Sequence, residues 1–201
     1  MKKIIVSGII LIIVIVLFYR REDSGTITDF FAGASINQII IEAGDHPVLL
    51  QNAEAEEITI SLDKCNKEIS SIKNQTLTLQ PPAAKAGINI KKPSTLAVMI
   101  PKDWLGSVDI CSEAGNIKVD KVVLTQLKIK SDYGNVSCSG LSGFVSAKSN
   151  MGEIVVPENL ADQVKPGDMD LGAAFEASIG DAEGTDNDIN IYTDTGSIKI
   201  D

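Results

Sequence analysis

Twenty-seven carboxylates and one histidine set the chemistry open to this chain of 201 residues. Nucleophilic catalysis of the Ser-His-Asp or Cys-His kind needs an imidazole base. The one imidazole, His46, sits in Gly44-Asp45-His46-Pro47, a run of turn-forming residues. A catalytic zinc wants several His or Cys at short spacing. Phosphate-binding loops want a Gly-rich turn that opens a helix. The sequence has neither pattern. Paired carboxylates hydrolyse glycosides, but among so many acids such pairs arise by chance. The expectation is a protein that is not an enzyme and needs no cofactor.

Carboxylates also bind cations, and the densest acidic stretch holds Asp181, Glu183, Asp186 and Asp188. Calcium takes six to eight oxygens, often from acids at alternate positions, so these four are the metal candidates. The stretch lacks the glycine and distal glutamate of an EF-hand loop, and a solvated acidic loop is the competing reading. A second set comes from a repeat. Glu113, Asp132, Asn150 and Asp194 each follow a turn Ser or Thr. If the repeats stack, these four line one edge and offer a place for a cation or a polar glycan. Lys118, Lys128, Lys130, Lys148 and Lys199 fall at outward strand positions, where a basic strip would suit an anionic wall polymer.

The element that positions these residues is a twelve-residue pattern, apolar-x-apolar-x-Ser/Thr-x-x-Gly-x-apolar-x-apolar. It runs over Val108–Val119, Leu127–Cys138, Val145–Val156 and Ile189–Ile200. Alternation with period two marks strands with one buried face. The turn glycines, Gly115, Gly134, Gly152 and Gly196, are expected to take the positive φ that redirects the chain. All sixteen inward positions are apolar or Cys. One copy cannot bury its own apolar face, so the copies must share a core. The near-constant period predicts an all-β, β-solenoid-like stack of two-strand repeats of about 18–20 residues. An antiparallel β-sandwich of hairpins is the alternative. The longer step before the last copy reads as an inserted loop over 160–172, with 175–180 as a degenerate rung.

Residues 36–101 hold less regular strands, expected near 39–42, 48–51, 58–62, 77–80, 88–90 and 96–100, between breakers such as Gly44-Asp45 and Pro81-Pro82. Trp104, the single Trp, reads as a cap on the core. Cys138 faces inward and Cys111 outward, which opposes pairing them; with Cys65 they are expected to be free thiols. The N-terminus carries Lys2 and Lys3, then an apolar run from Ile4 to Tyr19. Sixteen residues of helix span about 24 Å, and Tyr19, Arg20 and Arg21 at the interface complete a crossing. A small-x-small cleavage site does not directly follow. The expected organisation is a signal anchor over 1–21, a tether over 22–35 and an extracytoplasmic β-repeat domain over 36–201, clearest from 102. Beyond Arg21 lie all 27 acids against 14 lysines, a balance near −13 that repels nucleic acid.

The run Leu96-Ala-Val-Met-Ile-Pro101, then Val108-Asp-Ile110, the strand–Ser/Thr-x-x-Gly–strand units and the closing Ile191–Ile200 resemble the bacterial putative adhesin family of unknown function, found membrane-anchored in Gram-positive cell-envelope stress operons. The resemblance covers about 36–201. It implies a solenoid-like fold outside the cytoplasm and transfers no catalytic residue. The function expected is surface or cell-envelope contact, with a wall polymer as partner. The alternative is an accessory role in envelope-stress signalling, with a membrane signalling protein as partner.

Overall fold

The structure, a computed structural model, describes residues 25–65, 67–83, 93–141, 144–149, 154–155, 164–166, 175–179 and 188–201. The apolar N-terminal run lies outside them. Among the described residues no helix is long and apolar enough to cross a membrane.

Among the described residues, seventeen strands and one 3-10 turn (Gly33–Ser35) follow in chain order: β1 Ile27–Ala32, β2 Gln38–Gly44, β3 Val48–Ala53, β4 Glu57–Leu62, β5 Ser70–Lys73, β6 Thr76–Leu79, β7 Leu96–Pro101, β8 Ser107–Ser112, β9 Ile117–Asp120, β10 Gln126–Ser131, β11 Val136–Ser139, β12 Phe144–Ser149, β13 Ile154–Val155, β14 Val164–Pro166, β15 Phe175–Ile179, β16 Asp188–Thr193 and β17 Ile198–Ile200. They make one sheet of order β1-β4-β7-β3-β9-β11-β17-β13 and another of order β14-β15-β12-β16-β10-β8-β2-β6-β5. Each repeat gives its first strand to one sheet and its second to the other. Neighbouring copies pair in parallel, which rules out the sandwich of hairpins and makes each copy a coil of a two-sheet solenoid. The sequence alignment is the spatial register: Val108, Leu127, Ile189 and Val145 are partners in turn, as are Ile110, Ile129, Ile191 and Ala147.

The stacking order departs from the chain order at both ends. The coil β16/β17 lies between β10/β11 and β12/β13, so the last copy in sequence is not last in space. Likewise β2/β3 lies between β6/β7 and β8/β9. Among the described residues six parallel coils result, with the first and last in sequence each one place in from an end. Antiparallel strands follow outside: β5 beside β6, β4 and then β1 beside β7, and β15 and then β14 beside β12. Residues 175–179 therefore form an antiparallel strand and not a degenerate rung. The expected tether also needs correction. Residues 27–32 form β1, and its Ile27 and Phe31 pack on the core that β4 would otherwise expose.

The described inward positions of the repeats, among them Val108, Ile110, Ile117, Val119, Leu127, Ile129, Val136, Ile189 and Ile198, are essentially inaccessible to water. Burying each is worth roughly 1.5–3 kcal/mol. They join Leu50, Ile60, Leu79 and Val98 from the less regular half in one aliphatic cluster.

Candidate functional site

The turn edge, where each coil passes from one sheet to the other, gathers the residues singled out by the repeat. Its inner layer is structural. The Ser131 hydroxyl donates to the Gly134 carbonyl at 3.1 Å and accepts from the Gly134 amide at 2.9 Å. Ser112 does the same with Gly115, at 2.9 and 3.0 Å. Thr193 donates to the carbonyl of Gly134, one coil away, at 3.2 Å. Ser112, Ser131 and Thr193 are buried, so these bonds satisfy polar groups that would otherwise be costly to bury.

The glycines serve a different purpose from the one expected. Gly115, Gly134 and Gly196 do not adopt the left-handed conformation; Gly44 and Gly140 do, at φ 56° and 61°. What they need is space. A Cβ on Gly134 would collide with the carbonyl of Gly115, one on Gly196 with the carbonyl of Gly134, and one on Gly115 with the carbonyl of His46. The pattern is a column of close backbone approaches. Gly152 lies outside the described residues. In the coil β2/β3, Ala43 and His46 stand at the Ser/Thr and Gly positions of the pattern, and a bulge sets Gly44 opposite Ser112, which hides this copy from a pattern search. The His46 imidazole meets the carbonyls of Ser94, at 2.9 Å, and Pro82, at 3.3 Å, both within the β6–β7 connection.

Outside this layer run two polar columns. One was missed in the sequence: the Asn116 side chain accepts from the Asn135 amide at 3.1 Å, and the Asn135 side chain accepts from the Ser197 amide at 2.9 Å. The residue after each glycine is the signal that could have found it. The other is the expected edge. The Asp132 amide donates to the Ser112 carbonyl at 3.0 Å and the Asp194 amide to the Ser131 carbonyl at 2.8 Å, so Glu113, Asp132 and Asp194 fall on successive coils. Coil spacing is about 4.8 Å. Asn150 lies outside the described residues. Beside Glu113 and Asp132 opens a groove of about 840 Å³, whose wall also holds Glu42, Asp45 and Glu68, with Lys67 and Lys130 opposing them. Five acids against two lysines leave it negative. Lys130 approaches Asp132 at 3.9 Å, with both side chains largely in water, a contact worth little.

Of the calcium candidates, Asp188 is the exposed first residue of β16, its amide bonded to the Thr125 carbonyl at 3.0 Å. Asp181, Glu183 and Asp186 lie outside the described residues. Among the described residues no three His, Cys, Asp or Glu side chains come together to hold a metal ion. The carboxylates of the turn edge form a row, suited to an extended ligand more than to one small ion. The outward lysines do not make one strip: Lys118 and Lys199 lie on the β9/β17 sheet, Lys128, Lys130 and Lys148 on the other. Burial pushes the Cys138 thiol up to about 12, whereas Cys111 is exposed.

A family model described as Toastrack DUF4097 matches residues 36–201. No curated protein matches the chain. A solved structure described as a "putative cell adhesion protein" from Clostridium sporogenes superposes with a TM-score of 0.59 at 13% identity, over 87% of this chain and 97% of that one. Another, described as a "putative adhesin" from Bacteroides fragilis, is 13% identical over 88% of this chain and 97% of that one. Its TM-score of 0.26 carries no argument about fold.

Proposed function

The chain belongs to the Toastrack DUF4097 family, and we propose that it is a membrane-anchored, extracytoplasmic binding module that acts by surface contact rather than by catalysis. The observation that carries this is the acidic row of Glu113, Asp132 and Asp194 on successive coils, the first two of which line an open groove. Such a row presents carboxylates at a fixed spacing on a rigid scaffold. It suits a hydroxyl-rich or amine-bearing polymer of the cell envelope, whose groups can donate at each step. The Clostridium sporogenes structure described as a "putative cell adhesion protein" supports an adhesive role by analogy of fold. The apolar run over 4–19 supplies the anchor, and the negative domain beyond it stays soluble at the surface.

Retention of the purified domain on isolated wall material tests this reading. Binding is expected to fall at least tenfold in Glu113→Gln/Asp132→Asn, with the melting temperature unchanged because both side chains reach solvent. Equal retention by this variant removes the groove from the account. Failure of the native protein to bind, together with co-purification of a membrane kinase, replaces adhesion by envelope-stress signalling.

A further inference from the structure

The end of the solenoid formed by β1 and β5 is built differently from its flanks. The Ser70 hydroxyl donates to the Asp29 carboxylate at 2.9 Å, so the two sheets meet there and close the core. Two large apolar side chains nonetheless stay in water at this end. Phe30 on β1 is 61% exposed and Ile72 on β5 is 52% exposed. Between the sheets opens a groove of about 590 Å³, walled in part by Gly25, Ile27, Phe30, Phe31 and Cys65. Burying this surface against water-free material would be favourable.

We propose that this end is a membrane-contact face that seats the domain on the lipid bilayer, an inference that rests on residues 4–19 being the anchor. Chain length selects the occupant. Arg21 closes the apolar segment and Ile27 opens β1; the six residue steps between them reach about 20 Å at full extension. The β1 end is thus held near the headgroups wherever the rest of the domain points. Charge agrees. The domain as a whole is strongly acidic and is repelled by an anionic leaflet. At this end Lys64, Lys67 and Lys73 stand against Asp29, Glu57, Asp63 and Glu68, so it carries little of the domain's negative excess. Asp63 accepts from the Thr26 hydroxyl at 2.9 Å, and Asp29 is bonded to Ser70. With this end down, the strands lie parallel to the membrane and the coils rise from it. Tyr133, on the turn between β10 and β11, then stands five strand spacings above β1, or about 24 Å. The Glu113–Asp132–Asp194 row is thereby raised from the bilayer toward the wall, while Lys67 and Glu68 of the groove wall stay at the contact end.

The test uses the full chain in vesicles of phosphatidylcholine and phosphatidylglycerol with brominated acyl chains. Flotation with the vesicles reports anchoring, and quenching of a new tryptophan reports contact. Trp104 is 7% exposed and gives the background, measured on the native chain. Phe30→Trp is expected to lose at least half of its added emission to bromine, while Tyr133→Trp, at a residue 69% exposed, loses none. Both sites are exposed enough to accept tryptophan. Flotation with equal quenching at the two sites overturns the proposal and leaves the anchor intact. A Phe30→Trp signal that shifts with protein concentration and ignores bromine replaces the bilayer by a second copy. Failure to float removes the anchor and the proposal with it.

Discussion

On the turn edge, each described regular turn closes with a hydroxyl, two outward residues and a glycine, and stacks against the glycine carbonyl of its neighbour. On the opposite edge no two of the described connections share a pattern. Residues 102–106 fold Trp104 inward, where its indole N–H donates to the Ile36 carbonyl at 2.7 Å. Residues 121–125 bury Val122 and Leu124 and turn on Lys121 at φ 53°. The connection after β11 opens instead on Gly140 at φ 61°. The turn edge is held by repetition and the opposite edge by single plugs. Repetition leaves the outward positions free to vary, and there the acidic row sits.

The largest effect should come from the plugged edge. Trp104→Ala removes a buried ring and its hydrogen bond and should cost about 3–5 kcal/mol, read as a loss of denaturation midpoint. A smaller loss than at the turn edge would break the comparison. On the turn edge, Gly134→Ala should cost about 3 kcal/mol, because its Cβ meets backbone that cannot move without shifting a coil. Gly44→Ala sharpens the point. Gly44 has positive φ but no atom within 4 Å of an added Cβ, so only the left-handed penalty of about 1–2 kcal/mol applies. Equal melting temperatures for the two variants would return the glycines to a conformational role. Ser131→Ala leaves the Gly134 amide without its 2.9 Å acceptor and should cost about 1–3 kcal/mol.

The smallest effect on stability at neutral pH comes from Cys138. Its thiol is raised from 9.0 to about 12 by burial. The unfolded chain releases this proton first, so stability is intact below about pH 9 and falls as pH rises toward 12. At pH 8 a thiol reagent should modify Cys111 at once and Cys138 only after unfolding. Equal rates would place Cys138 outside the core.

The regular coils were legible in the sequence because strand alternation and the Ser/Thr-x-x-Gly turn are local, and their register followed from alignment alone. The coil 39–50 was hidden because Ala43 and His46 stand where the other copies have Ser/Thr and Gly. Strand β1 reads as tether because an edge strand buries one side lightly, leaving Phe30 in water. The place of β16/β17 inside the stack was illegible for a physical reason: equivalent copies offer equivalent faces, so the local pattern does not choose among them. The acidic row was legible as a column, but the groove beside it needed Glu42, Asp45 and Glu68 from outside the pattern.

The position of β16/β17 brings Asp132 and Asp194 onto neighbouring coils, and cross-linking tests it directly. In a background with Cys111→Ser, Lys128→Cys/Asn190→Cys joins register partners, within the roughly 7 Å Cα separation a disulfide tolerates. Lys128→Cys/Ser146→Cys joins strands two spacings apart, about 9.6 Å. Mild oxidation should link the first pair nearly completely and leave the second reduced. Efficient linking of the second pair, with the first reduced, would put the coils in sequence order and contradict the account.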